Sequence, residues 1–196
     1  EETYNKEHHY YIKVLNKLSW SYFYLADFEK ALETGNKSLD LVTKTLKKTH
    51  PEFGETFAVL GQINAALGNR EIAYRYLHQC VDAKREAFGE NHIKYATAII
   101  NLGIHYNDVS KYKEAEKLLL EGLSIVAETV GENHIKYAWT IFNIGILYCE
   151  LDKYKISEEY HLKALSIKKK IRGKNHSDVA ESLSHLSMLY EKIGNW

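Results

Sequence analysis

The chain has 196 residues, 45% hydrophobic and 27% charged, the balance of an ordinary globular protein. Its 26 Lys and Arg match its 26 Asp and Glu, so no net field points to nucleic acid or to an anionic membrane. No apolar run approaches the roughly 18 residues of a membrane helix, no signal-like leader is visible, and Cys80 and Cys149 form no CxxC pair, which fits a reducing, cytoplasmic setting.

The predicted elements share one frame. GENHIKYA stands at 89–96 and again at 131–138, 42 residues apart. The same step links His8, His50, His92, His134 and His176, and it predicts units at 12–53, 54–95, 96–137 and 138–179 with a partial unit at 180–196. Each unit reads as two helices, A then B, joined by a polar turn. In the first, Leu18 and Ser19 mark helix A and Ala31 and Ser38 mark helix B. Pro51 after His50 suits the first turn of the next helix. The second unit repeats the scheme with Leu60–Gly61, Ala73 and Cys80, but Lys47, Asn64 and Arg70 depart from it.

In the third unit, Ala96, Ile99, Ile100, Leu102, Gly103 and Tyr106 fall on one helical stripe, as do Ala115, Leu118, Leu119 and Leu123 on the following helix. The fourth repeats this through Ile144–Gly145, Tyr148, Ser157 and Ala164. Gly89, Gly131 and Gly173 stand where a helix must stop, and the Asn or His after each can cap the next helix. Leu183, Leu186, Met188, Leu189 and Ile193 mark a last helix whose outer apolar side is expected to be uncovered and to drive self-association. Trp196 stands where a fifth helix B would begin, which suggests a piece of a longer protein.

One hairpin of this kind cannot bury its own stripe, so hairpins must stack. The columns read "IINLGIHY…KYKEAE…EGLSI" and "IFNIGILY…KYKISE…KALSI". They resemble the tetratricopeptide repeat, in the 42-residue variety of kinesin light chains and nephrocystin-3-like proteins. The units of amyloid protein-binding protein 2 are similar. The resemblance covers essentially the whole chain. It implies an all-α, right-handed α-solenoid of stacked antiparallel helix pairs, one solenoid over residues 1–196. Propeller blades fail for want of strand alternation, and HEAT units fail on the small-residue columns.

The resemblance also implies a non-enzymatic scaffold or adaptor that binds a peptide segment of another protein along a concave wall lined by the A helices. Asn101 and Asn143 share a column where such domains hold peptide backbone, a task suited to an amide that both donates and accepts. Trp139, Phe142 and Trp20 are the candidate aromatic anchors, with Phe23 and Tyr24 beside Trp20. Lys17, Lys94 and Lys136 supply partial basic character. Asn16, Ala58 and Ile100 belong to the same expected wall.

Other readings are a self-associating or autoinhibited module, and a regulatory domain of a larger enzyme or DNA-binding protein. No phosphate loop, HExxH or GxSxG motif is present, and no pattern joins Cys149 to His105. The histidine column suits helix joints, because equivalent positions in stacked units lie about 8–10 Å apart and cannot share one ion. No cofactor and no metal are expected.

Overall fold

The computed structural model describes residues 2–194, with side chains from residue 8 onward, so Trp196 lies outside the described residues. Within them the chain is all helix: α1 (Glu2–Tyr24), α2 (Phe28–Thr45), α3 (Pro51–Ala66), α4 (Arg70–Phe88), α5 (Ile93–Asp108), α6 (Tyr112–Val130), α7 (Ile135–Glu150), α8 (Tyr154–Arg172) and α9 (Ser177–Ile193). The architecture is an all-α repeat solenoid.

The helices group into two compact units, 1–90 and 91–196. In the first, α1 pairs with α2 and α3 with α4, while α3 also packs on α1 and α2. In the second, α5 pairs with α6 and α7 with α8; α6 meets α7, α8 meets α9, and α5, α7 and α9 lie side by side in one layer.

The histidine column sets the helix starts. The Nδ1 atoms of His50, His92, His134 and His176 accept from the backbone N–H of Glu52, Lys94, Lys136 and Asp178 at 3.0–3.2 Å. Each is an N-cap, a role that contributes about 0.5–2 kcal/mol when Ser, Thr, Asp or Asn fills it. The A helices therefore begin at 51, 93, 135 and 177, just before the unit starts expected at 54, 96, 138 and 180. His8 breaks the pattern, since α1 runs straight through it. Four of the five histidines thus cap a helix, and the fifth lies inside one.

Gly89, Gly131 and Gly173 end α4, α6 and α8 at φ of 79°, 82° and 85°, values that favour glycine. Lys47 holds the equivalent place after α2, and there the chain leaves through Leu46 in an extended conformation instead. The turn from helix A to helix B also needs a left-handed residue. Gly68 fills it freely, whereas Ala26, Ser110 and Asp152 hold φ near +60° at a strain cost.

The small-residue columns fix the approach of the helices. A Cβ at Gly103 would lie 3.0 Å from Leu119 Cγ, and one at Gly61 would lie 2.8 Å from Leu77 Cδ2. Where serine takes the small position, its hydroxyl bonds the facing backbone: Ser19 Oγ donates to the Ala31 carbonyl at 2.7 Å, and Ser157 Oγ to the Gly145 carbonyl at 2.8 Å. Large and small also alternate across the A–B contact, with Ile100 over Gly122, where a Cβ would collide with Ile100 Cγ1.

That pairing corrects the expected wall. Asn16, Ala58, Ile100 and Phe142 form one column, and all four are buried. They face the small column of the B helices, Ser38, Cys80, Gly122 and Ala164, so core space is open to them and the outer wall is not. Phe142 is therefore a core residue at 3% exposure, and its place as a peptide anchor is withdrawn.

Candidate functional site

The surface of the α5–α7–α9 layer is a half-buried stripe. Thr97, Asn101 and Ile104 come from α5, Trp139, Asn143 and Ile146 from α7, and His185 from α9. Thr97 and Trp139 sit three short of the buried Ile100–Phe142 column, Asn101 and Asn143 one beyond it, and Ile104 and Ile146 four beyond it, so the helical period brings them to the rim of the packed stripe. Exposed Asp108, Glu150 and Lys192 close one end, where Lys192 Nζ reaches Glu150 Oε1 at 3.2 Å and ties α9 to α7.

Asn101 and Asn143 occupy equivalent places on neighbouring helices, as the sequence column requires. The Asn143 amide donates to the Trp139 carbonyl at 2.8 Å, one turn back on its own helix, which leaves its Oδ1 to accept. The Asn101 side chain has no hydrogen bond among the described residues and keeps both functions. Trp139 stands half-buried one turn before Asn143. Lys136, partly buried, donates from Nζ to Thr97 Oγ1 at 3.3 Å and links α7 to α5. Lys94 is exposed at the start of α5.

Two sequence candidates lie in residues 1–90. Lys17 is exposed on α1. Trp20 is half-buried, with Phe23 at 5.6 Å edge-on and Tyr24 at 5.8 Å stacked. These form an aromatic cluster of their own at the end of α1.

Sequence reasoning missed a buried cation that reaches this layer. Lys168 of α8 is 2% exposed, yet its ammonium lies 3.9 Å from the centroid of the Phe142 ring and 3.1 Å from Glu181 Oε2 on α9. Phe142 thus acts as a floor for a charge, an arrangement worth about 2 kcal/mol or more when desolvated. The signal was present in the column Val42, Lys84, Val126, Lys168, where lysine twice replaces a core valine. Lys84 repeats the device in residues 1–90, 3% exposed and paired with Glu55.

His161 completes the cluster. It fills the position held by Leu77 and Leu119 in the preceding repeats and packs on Gly145 and on Phe142 at 5.2 Å. His185 lies 5.8 Å away, and the His161 Nδ1 has no hydrogen-bond partner among the described residues. Burial first, then the neighbouring His185 and the Lys168 cation, push its pKa down to about 4. Burial also raises the thiols, Cys80 to about 12 and Cys149 in the same direction, so neither is an activated thiolate. No group of three metal-binding side chains occurs among the described residues, and none of their helices is long and apolar enough to cross a membrane.

Comparison with known proteins places this arrangement. The chain is similar in fold to BtubC (BKLC) from P. vanneervenii, with a TM-score of 0.74 at 19% identity, covering 99% of this chain and 84% of that one. A putative kinesin light chain with nearly identical TPR-like repeats from Podosopora anserina aligns at TM-score 0.74 and 20% identity, over 93% and 86% of the two chains. A Rap protein complexed with competence and sporulation factor aligns at TM-score 0.79 and 17% identity, over 92% of this chain and 48% of its own. No curated protein sequence matches the chain. The tetratricopeptide repeat profile matches residues 54–128, 97–170 and 138–196, which together run through more than half of the sequence. On that match, and on helix pairs that keep its period throughout, the chain belongs to the tetratricopeptide repeat family.

Proposed function

We propose that this protein is a non-enzymatic scaffold that holds an extended segment of a partner protein on the α5–α7–α9 layer. The observation that carries the reading is the pair Asn101 and Asn143. Two carboxamides stand in one register on adjacent helices, off the packed stripe, with acceptor or donor capacity to spare. An extended peptide repeats its backbone groups along its length, and a register of amides matches that repeat. Trp139, one turn before Asn143 on α7, offers an aromatic surface. The Rap neighbour, solved with competence and sporulation factor, supports ligand capture by this fold.

The test uses a displayed peptide library selected on the intact chain, followed by titration of a selected peptide. Asn101→Ala and Asn143→Ala are each expected to lower affinity about 2- to 12-fold, the equivalent of a lost hydrogen bond worth roughly 0.5–1.5 kcal/mol. Thermal stability should stay nearly unchanged, because neither amide fastens one helix to another. Full affinity in the folded double variant would move the binding surface elsewhere.

A second mode has its own observation. Leu183, Met188 and Ile193 of α9 are exposed apolar side chains, while Leu186 and Leu189 of the same helix are buried. Self-association through that face predicts a mass that rises with concentration in sedimentation equilibrium and returns to monomer in Leu183→Glu/Met188→Glu. A chain that stays monomeric at high concentration removes this mode.

A further inference from the structure

Residues 1–90 hold a cavity of about 410 Å³ lined by α2, α3, α4 and the segment between α2 and α3. It opens between α2 and α4, and α3 forms its floor. The volume lies in the roughly 300–1,000 Å³ range of binding pockets. Phe53, Phe57 and Tyr76 line the base, with the Phe57 and Tyr76 rings stacked at 6.1 Å, and Ile72 stands exposed at the rim. Two cations, Lys48 and Arg75, complete the lining, which contains no carboxylate. Neither cation has an ion-pair partner among the described residues.

The same groove recurs two repeats later, between α6 and α8 over α7, and there it is bridged. Lys163 Nζ of α8 spans it to Glu132 Oε2 at 2.9 Å and to the Tyr137 hydroxyl at 3.0 Å. The equivalent places in the first groove hold Gln79, Lys48 and Phe53. Each of the three substitutions removes a member of the bridge. The lysine becomes a neutral amide, the glutamate becomes a cation, and the phenol loses its oxygen. What closes one groove is missing from the other, and the one negative charge of the bridge is among the missing members.

We infer that the α2–α3–α4 groove is a second docking site, which takes an acidic peptide segment of a partner protein. One aliphatic or aromatic side chain of that segment enters over Phe53 and Phe57, and flanking carboxylates meet Lys48 and Arg75. The occupant supplies in trans the charge that Glu132 supplies in cis. This site is separate from the α5–α7–α9 layer and does not depend on it.

The test measures fluorescence polarisation of labelled hexapeptides with one Leu, Ile or Phe flanked by Asp and Glu, against a matched set with Lys in place of the acids. The acidic set should bind more tightly by about 10-fold or more, and binding should weaken as salt rises. Lys48→Glu/Phe53→Tyr/Gln79→Lys transplants the bridge that the second groove already tolerates, so it should fold, and it should lower acidic-peptide affinity at least about 10-fold. Arg75→Glu gives an independent loss of the same sign. Asn101→Ala/Asn143→Ala should leave this binding unchanged. Equal binding of both peptide sets, or wild-type affinity in the helical triple variant, overturns the site. So does loss of the same peptide in the asparagine variant.

Discussion

Acidification from pH 7 to pH 5 is expected to weaken residues 91–196 by roughly 2 kcal/mol through His161 alone, given its folded pKa of about 4 against 6.5 in an unfolded chain. The sign follows from burial. The folded imidazole stays neutral down to about pH 4, while the unfolded one takes its proton near 6.5. Between those values the unfolded state binds more protons, so stability falls as pH falls, and below about 4 this contribution no longer changes. No group around the ring raises its pKa. Phe142 of α7 offers no charge, His185 of α9 and Lys168 of α8 oppose a second cation, and Glu181 of α9 is already engaged by Lys168. His185 is also held below its usual value by burial and adds to the loss.

For a chain of this length, 2 kcal/mol corresponds to a melting midpoint lower by about 4–8 °C. His161→Leu restores the residue that Leu77 and Leu119 show the site accepts. It should raise stability at pH 7 and remove most of the drop between pH 7 and pH 5. Circular dichroism melts of both proteins at the two pH values give the answer. An equal drop in the two proteins would place the acid sensitivity outside this cluster.

That histidine also shows how much of the fold and the site the sequence carried. The 42-residue period, the helix pairs and the C-terminal glycines are local chemistry repeated, so one chain displayed them plainly, whereas the cap stayed open between each Asn and the His after it. The register of Asn101 with Asn143 was readable for the same reason. What could not be read was which side of helix A each column faces. The unit register alone put Asn16, Ala58, Ile100 and Phe142 on the wall. They are core, and their variation from polar to aromatic is matched by Ser38, Cys80, Gly122 and Ala164 opposite them. Complementary changes on two helices keep the packing while hiding the pattern from either helix alone. The buried lysines escaped for a related reason: a long stem can pass through a core and deliver its charge on the far side. His161 in a leucine column and lysine in a valine column were visible as exceptions, but their meaning depended on Phe142, which only the packing placed.

The largest loss is expected from Asn16→Ala, at about 3 kcal/mol or more. Asn16 is 4% exposed and joins three helices. Its Nδ2 donates to Glu52 Oε2 of α3 at 3.0 Å, and its Oδ1 accepts from Ser38 Oγ of α2 at 2.7 Å and from Thr56 Oγ1 of α3 at 3.1 Å. Alanine would remove the shared partner of a buried carboxylate and two buried hydroxyls at once, and water has little access to replace it. Ser38 and Thr56 can still bond each other at 3.2 Å, so the Glu52 carboxylate bears most of the loss. The third and fourth repeats build the same contact from Ile100 over Gly122 and Phe142 over Ala164, so the fold does not need polarity here. Exchanging the whole set, Asn16→Leu with Ser38→Ala, Glu52→Met and Thr56→Val, should therefore cost less than the single alanine change, because it leaves no group unpaired. Urea titration of the three proteins separates the cases. If Asn16→Ala unfolds within about 1 kcal/mol of the wild type, the network is not what fastens α1 to α2 and α3. A fourfold variant weaker than the single one would show that shape, and not hydrogen bonding, decides the contact.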